Sequence, residues 1–267
     1  MRHSVQTVFM AVALSIPLTL HATTEETIRT EAVGILSKHV DATYVAQLLH
    51  DKKACEEYVL PPQKYLLLTE LRAQMLAEDS LAVGEWFFWQ YASVLDKLAA
   101  GDKFLPYYII AVLRIESDFG KNLGTEPALR TFYSDYVARR TKKGVSQSQK
   151  PLVTQAVPLL RYAQTLGIDP CTIYGSHSGA IGLPQFMPFN LHLTRDGDDD
   201  GIIDIVRSPY DAMASIVSFF KDRRWGKRPR TDVLRRYCGT GRYAERYAAI
   251  AEEYALAVKK RVEKGHD

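Results

Sequence analysis

Apolar positions recur along most of the chain at offsets of three and four, the spacing of one face of a helix. The stretch 109–120, IIAVLRIESDFG, carries the pattern most clearly: Ile109, Val112, Leu113 and Glu116 share a face on which three residues are aliphatic and the fourth is an acid. Pro106 suits the first turn of that helix and Gly120 the position just past its end. Upstream, the pattern predicts a helix from Thr24 to about Leu49, opened by Thr23 and Glu26 as a capping box. A break follows at Leu60-Pro61-Pro62, then a long helix from Gln63 to Ala82. After Gly84 comes a helical stretch Glu85–Ala100, crowded with Trp86, Phe87, Phe88, Trp89 and Tyr91. Aromatics at this density read as core, with a carbohydrate-stacking surface as the alternative. Downstream the pattern predicts helix over Thr131–Val137, a polar loop over 139–150, and helix from Pro151 to Leu166 with a kink at Pro158. The chain is then irregular over 175–209, helical over Pro209–Phe220, and helical again over Arg242–Val262. Strand patterns never exceed a few residues and no repeat is present, so the fold class is mainly α.

Composition narrows the picture a little. The 267 residues are 46% hydrophobic and 24% charged, as in a soluble globular protein of one large domain or two lobes around a cleft. A formal net charge of +3 gives no case for nucleic acid as a partner. Basic residues gather at 139–143 and 223–236; such runs are usually solvated faces, the other reading being attraction to an anionic polymer or envelope surface. Residues 1–22 read as a signal peptide: Arg2 and His3 at the start, an apolar run over Thr7–Leu20, and the small residue Ala22 at a cleavage position. The expected location is therefore periplasmic or secreted, with membrane contact only through that segment if it is retained. Of Cys55, Cys171 and Cys238, two could form a disulfide and leave one thiol; their spacing matches no metal motif.

Three stretches carry candidate chemistry. Burial and the negative end of a helix both favour the protonated form of Glu116, which a general acid needs near neutral pH. The blander reading is that Glu116 ends an apolar stripe and swings into solvent. The stretch from Ser176 to Phe189, SHSGAIGLPQFMPF, sets Gln185 among apolar residues; its amide both donates and accepts, as a sugar hydroxyl or acetamide requires. In the stretch Asp196 to Asp204, acids at loop positions one, three, five and nine with Gly201 at six follow the EF-hand pattern. Asp196, Asp198, Asp200 and the Ile202 carbonyl are the expected ligands of a structural calcium ion. Position twelve is Arg207, so Asp211 from the next helix would have to close the shell. No organic cofactor is expected.

Taken in order, Glu116-Ser117-x-Phe119-Gly120, then Gly179-Ala180-Ile181-Gly182-x-x-Gln185-Phe186-Met187-Pro188, then the Asp-rich loop, then Leu234-Arg235-Arg236-Tyr237-x-Gly239-x-x-x-Tyr243-Ala244 resemble the lytic murein transglycosylase B family, the family 3 lytic transglycosylases. The resemblance covers roughly residues 104–254. It implies a lysozyme-like helical domain over 104–267, with a substrate cleft and a calcium-type loop at 196–211, preceded by a helical region 23–103. It also implies a lyase that binds peptidoglycan glycan strands and cleaves between N-acetylmuramic acid and N-acetylglucosamine without water, leaving 1,6-anhydro ends. One acid, the counterpart of Glu116, would serve as acid and then base, while Ser176, Gln185 and Tyr237 would line the sugar site. No second carboxylate stands out, so the two-carboxylate scheme of glycoside hydrolysis is not supported. The chain departs from the pattern at Cys238, where the family has Asn, at Phe189-Asn190, where it has small residues, and in a segment 196–211 one residue longer. These departures keep two alternatives open: a peptidoglycan-binding scaffold with weak or no catalysis, and a hydrolytic muramidase on the same fold.

Overall fold

The computed structural model describes residues 19–50, 68–141 and 148–265. Its order is α1 (Thr19–Leu36), α2 (Ala42–His50), α3 (Leu68–Met75), α4 (Glu78–Gln90), α5 (Ala92–Ala99), α6 (Leu105–Ser117), β1 (Glu126–Pro127), α7 (Ala128–Thr141), α8 (Val157–Leu166), β2 (Tyr174–Gly175), α9 (Pro209–Asp222), α10 (Arg230–Cys238) and α11 (Gly241–Lys264). A π-helical turn over Pro151–Ala156 leads into α8, and 3-10 turns cover Pro170–Thr172 and Pro188–Leu193. The protein is mainly α, as the periodicity predicts; β1 and β2 form one two-residue antiparallel ladder.

Everything is arranged around α6. From Leu105 to Leu113 each of its residues is buried, the mark of a helix enclosed on all sides rather than amphipathic. It packs against α11, α4, α5 and α9. Asp102 ties down its start: Oδ1 accepts from the backbone N–H groups of Phe104 (2.8 Å) and Leu105 (3.2 Å), and Oδ2 from the Trp225 indole (2.8 Å). Buried apolar residues form one continuous cluster from Ile28 to Val262.

Several boundaries differ from the periodicity. The first helix begins at Thr19, so Thr23 lies inside it and does not cap it. The predicted helix Thr24–Leu49 is two helices, because Asp41 accepts from Tyr44 N–H (2.8 Å) and starts α2 afresh. The segment Gln63–Ala82 is likewise divided between α3 and α4. Gly84 does not separate helices but lies within α4, buried. A Cβ there would fall 2.4 Å from the Tyr254 hydroxyl oxygen, so Gly84 is what lets α4 and α11 approach closely. Pro158 lies in the first turn of α8, directly after the π turn, in which Val157 N–H donates to the Leu152 carbonyl five residues back. Residues 1–18 of the expected signal segment, the break at Leu60-Pro61-Pro62, and Cys55 lie outside the described residues. No disulfide joins Cys171 to Cys238. Among the described residues no helix is long and apolar enough to cross a membrane.

Candidate active site

Glu116 sits in the last turn of α6. The helix ends at Ser117, two residues short of the end that Gly120 predicts, because Asp118 (φ 49°) and Phe119 (φ 56°) both adopt the left-handed conformation. Two consecutive non-glycine residues in that region cost roughly 1–2 kcal/mol each, so the surroundings must hold them. Phe119 stacks on Phe87 with ring centroids 4.7 Å apart, and Asp118 is paired with Arg114 (3.3 Å) and Lys121 (3.8 Å). That pairing turns Asp118 away from any partnership with Glu116. The buried Ser117 hydroxyl donates to the Leu183 carbonyl (2.8 Å) and accepts from Gly120 N–H (3.1 Å), fastening the helix end to the loop that carries Gln185.

Part of the Glu116 side chain is open to solvent, but its carboxyl is crowded by protein atoms. Burial raises its pKa from the ordinary 4.5 to about 7, and the opposing influence is a hydrogen bond from Tyr247. The Tyr247 hydroxyl donates to Oε1 at 2.5 Å. From α10, Tyr237 and Cys238 also feel the carboxylate: burial is the main reason each holds its proton, and the Glu116 charge adds to it. No second carboxylate is coupled to Glu116 among the described residues.

The stretch 175–189 folds as a compact double turn. Ser176 N–H donates to the Ala180 carbonyl and Ile181 pairs with Phe186. Gly182 (φ 73°) presses on the Ile205 carbonyl, where a Cβ would sit 2.5 Å from the oxygen. The predicted sugar-site residues are engaged as follows. Ser176 Oγ accepts from Ala180 N–H (3.1 Å), which makes it a brace of the turn. The Gln185 amide nitrogen donates to the carbonyls of Gly182 (2.9 Å) and Leu123 (3.5 Å), leaving Oε1 without a protein partner among the described residues. The Tyr237 hydroxyl donates to the Pro184 carbonyl (2.6 Å), and its ring packs on Phe219 at 4.7 Å. Tyr237 thus joins Glu116 electrostatically to the loop mechanically. Phe189 is exposed, and its backbone N–H donates to Gln155 Oε1 (3.2 Å).

Tyr247 is the residue that the sequence reading missed. Its signal lay in α11, where Tyr247 and Tyr254 stand seven residues apart on one face among Ala248, Ala251 and Ala255. Both hydroxyls reach into the protein, Tyr247 to Glu116 and Tyr254 to the Ser80 carbonyl (2.9 Å).

In the acidic loop, Asp196, Asp198 and Asp211 bring carboxylate oxygens within 4.8 Å of one another. Oxygen ligands about 2.3–2.6 Å from a calcium ion span up to about 5 Å across it, so the three fit such an ion. Asp198 has its pKa raised by burial first and then by the charges of Asp200, Asp211 and Asp196, a crowding that a cation would relieve. The other predicted ligands are less direct. Asp200 Oδ1 accepts from Ile202 N–H (2.7 Å), and Ile202, whose side chain is hydrocarbon, offers a cation only its carbonyl. Arg207, at the twelfth position, is paired with Asp204 (2.8 Å).

Comparison with known proteins bears on the family and the fold. Residues 22–246 match the family of the transglycosylase SLT domain. Membrane-bound lytic murein transglycosylase B of Escherichia coli K12 is 26% identical over 167 residues. That alignment takes in 61% of this chain and 44% of the relative, so the match spans less than half the length of that protein. Among solved structures, soluble lytic transglycosylase SltB1 of Pseudomonas aeruginosa superposes with a TM-score of 0.70 at 18% identity, over 88% of this chain and 99% of that one. The E. coli lytic transglycosylase Slt35 in complex with calcium gives 0.69 at 16% identity, over 88% and 93%. Identities this low speak for a shared fold; the family match, which takes in most of the chain, speaks for more. The chain belongs to the transglycosylase SLT domain family.

Proposed function

We propose that the protein is a peptidoglycan lytic transglycosylase that works outside the cytoplasm and uses Glu116 as acid and then as base. The observation that carries this reading is a lone carboxyl at the end of α6, crowded by protein and held by the Tyr247 hydroxyl, with no second carboxylate coupled to it among the described residues; burial raises its pKa to about 7. A group poised there gives up a proton and takes one back at nearly equal cost. In the first half of the reaction Glu116 protonates the glycosidic oxygen as the bond from it to C1 of the muramoyl residue breaks. In the second half the C6 hydroxyl of the same residue bonds to C1, and its proton returns to the carboxylate. Protons balance and no water enters. A base for water on the opposite sugar face, which an inverting hydrolase needs, has no counterpart at Glu116. Gln185 Oε1 is free to accept from a sugar hydroxyl or acetamide N–H. Ser176 and Tyr237 hold the wall that bears it. Murein as substrate is supported by the family and by the E. coli relative; location outside the cytoplasm follows from that substrate and from the export-type residues 1–22.

The test is mass spectrometry of soluble products from purified peptidoglycan. Anhydro-muropeptides are the expected result; reducing-end muramic acid would replace the reading with hydrolysis. Binding to the wall without any product would replace it with a scaffold, and Cys238→Asn would then be the first reversion to try.

The acidic loop supports a structural calcium site, as does the calcium complex of Slt35. Asp196, Asp198 and Asp211 would hold the ion through carboxylates, joined by Asp200 and the Ile202 carbonyl. The ion would neutralise the crowded acids and fix the loop. Millimolar calcium is expected to raise the melting temperature and a chelator to lower it, since a ligand bound only to the folded state stabilises it by about 2.7 kcal/mol at a hundred times its Kd. An unchanged melting curve would leave the loop a plain acidic turn.

A further inference from the structure

We infer that Tyr247 is the positioning residue of Glu116: its hydroxyl engages Oε1 permanently and so assigns Oε2 as the atom that carries the catalytic proton. The inference rests on the reading of Glu116 as acid and base.

The geometry leaves little choice. Tyr247 is 4% exposed, on a helix packed against both α6 and α10. Its hydroxyl has one hydrogen atom, and the acceptor it meets is Glu116 Oε1. A proton on Oε1 aimed at the phenol would strand that hydrogen atom, because the buried Tyr247 hydroxyl meets no other acceptor among the described residues. The phenol does not ionise in Oε1's favour either, because burial first, and the neighbouring carboxylate next, hold its pKa well above 10. Oε1 is therefore an acceptor in both states of the carboxyl. Oε2 has no protein hydrogen bond among the described residues, which leaves it for substrate.

The environment isolates this pair. The titratable groups that face Glu116 are Tyr237 and Cys238 from α10 and Tyr247 from α11. No other charged group is an electrostatic cause at Glu116, and three on the neighbouring helices have partners of their own. Glu85 of α4 pairs with Arg261 (2.9 Å), Lys97 of α5 with Asp199 (2.8 Å), and Asp211 of α9 accepts backbone N–H groups of its own loop. On α6 itself Arg114 pairs with Asp118. Among the described residues Tyr247 is thus the one hydrogen-bond donor given to the carboxylate, and it favours the charged form. This lowers the barrier to releasing the proton toward the leaving oxygen without adding a positive charge that would bar its return.

Tyr247→Phe keeps the ring and removes the donor. A hydrogen bond to a charged group is worth roughly tenfold in an equilibrium, so the pKa of Glu116 should rise by about one unit. The descending limb of the pH–kcat profile should follow it upward, with kcat lower at its plateau and KM changed by less than about twofold. Site-specific 3,5-difluorotyrosine at 247, a stronger donor in a ring of nearly the same size, should move the limb the opposite way. Tyr254→Phe removes a similarly buried hydroxyl that serves Ser80, and should move neither. Carboxyl 13C NMR, with the Glu116 resonance assigned by its loss in Glu116→Gln, follows the titration without substrate. Absence of turnover in the wild type would therefore defeat the transglycosylase reading, while a Glu116 titration unmoved by both Tyr247 replacements would defeat the role of Tyr247. An equal shift in Tyr254→Phe would also defeat it, by showing the effect to be one of packing.

Discussion

Glu116→Gln is expected to abolish turnover and, above neutral pH, to make the protein more stable. Both effects follow from burial, which raises the pKa of this carboxyl from 4.5 to about 7. The amide keeps the shape and still accepts from Tyr247, but it has no acidic proton to give; general acid–base groups contribute roughly 10²–10⁴ in rate, and in the proposed reaction one group fills both roles. For stability, the folded state binds a proton between pH 4.5 and 7 that the unfolded chain has already released, so stability falls as pH rises through that window. Above it the ionised, crowded carboxylate costs the fold up to roughly 3 kcal/mol. Gln carries no such cost. Urea unfolding should place the variant above wild type at pH 8 and level with it at pH 4. Equal stabilities at both values would mean a solvated carboxylate, and the acid role would lose its physical basis. Wild-type turnover, for its part, should decline as pH rises past about 7, when the acid arrives at the substrate already deprotonated.

The acid was legible because its signal is local. Ile109, Val112, Leu113 and Glu116 lie within two turns, and an acid in an apolar stripe announces an unusual environment before any fold is known. Its partner was not, because Tyr247 comes 131 residues later and a tyrosine on a helix face reads as core whichever way its hydroxyl points. Helix type and order follow from periodicity, but boundaries turn on side chains that periodicity ignores. Asp41 restarts α2, and the left-handed pair Asp118-Phe119 ends α6 early. Gly84 misled for a related reason. Glycine breaks an isolated helix, yet here the contact it permits with Tyr254 lies across the core. The same limit applies to the acidic loop. Counting positions leaves Asp211 beyond the usual twelve, because spacing along the chain does not reveal that the first turn of α9 folds back against Gly197.

Asp211→Ala should be among the most damaging single changes in the protein, with or without calcium. Asp211 is 1% exposed. Its Oδ1 accepts from Gly197 N–H (2.8 Å) and its Oδ2 from Asp204 N–H (2.6 Å), so one carboxylate pins both arms of the loop to the start of α9. Its own N–H is capped by Ser208 Oγ (3.2 Å), at a helix N-terminus that favours negative charge. Alanine orphans two backbone donors and removes that charge, a loss of roughly 3–5 kcal/mol, or roughly 10 °C in melting temperature for a chain of this size. Asn keeps one acceptor and should fall between. Activity should drop as well. Asp204 is followed by Ile205, whose carbonyl accepts from Leu183 N–H (2.9 Å), and Leu183 in turn accepts from the Ser117 hydroxyl beside Glu116. A loosened acidic loop therefore reaches the catalytic turn through a short run of backbone hydrogen bonds. Calorimetry and turnover on the alanine and asparagine variants, each in calcium and in chelator, separate the hydrogen bonds of the residue from its proposed part in holding calcium. A loss that persists in chelator belongs to the hydrogen bonds, and a loss seen only in calcium belongs to the ion. A variant that melts within about 2 °C of wild type in both would show that the loop is held by something other than Asp211.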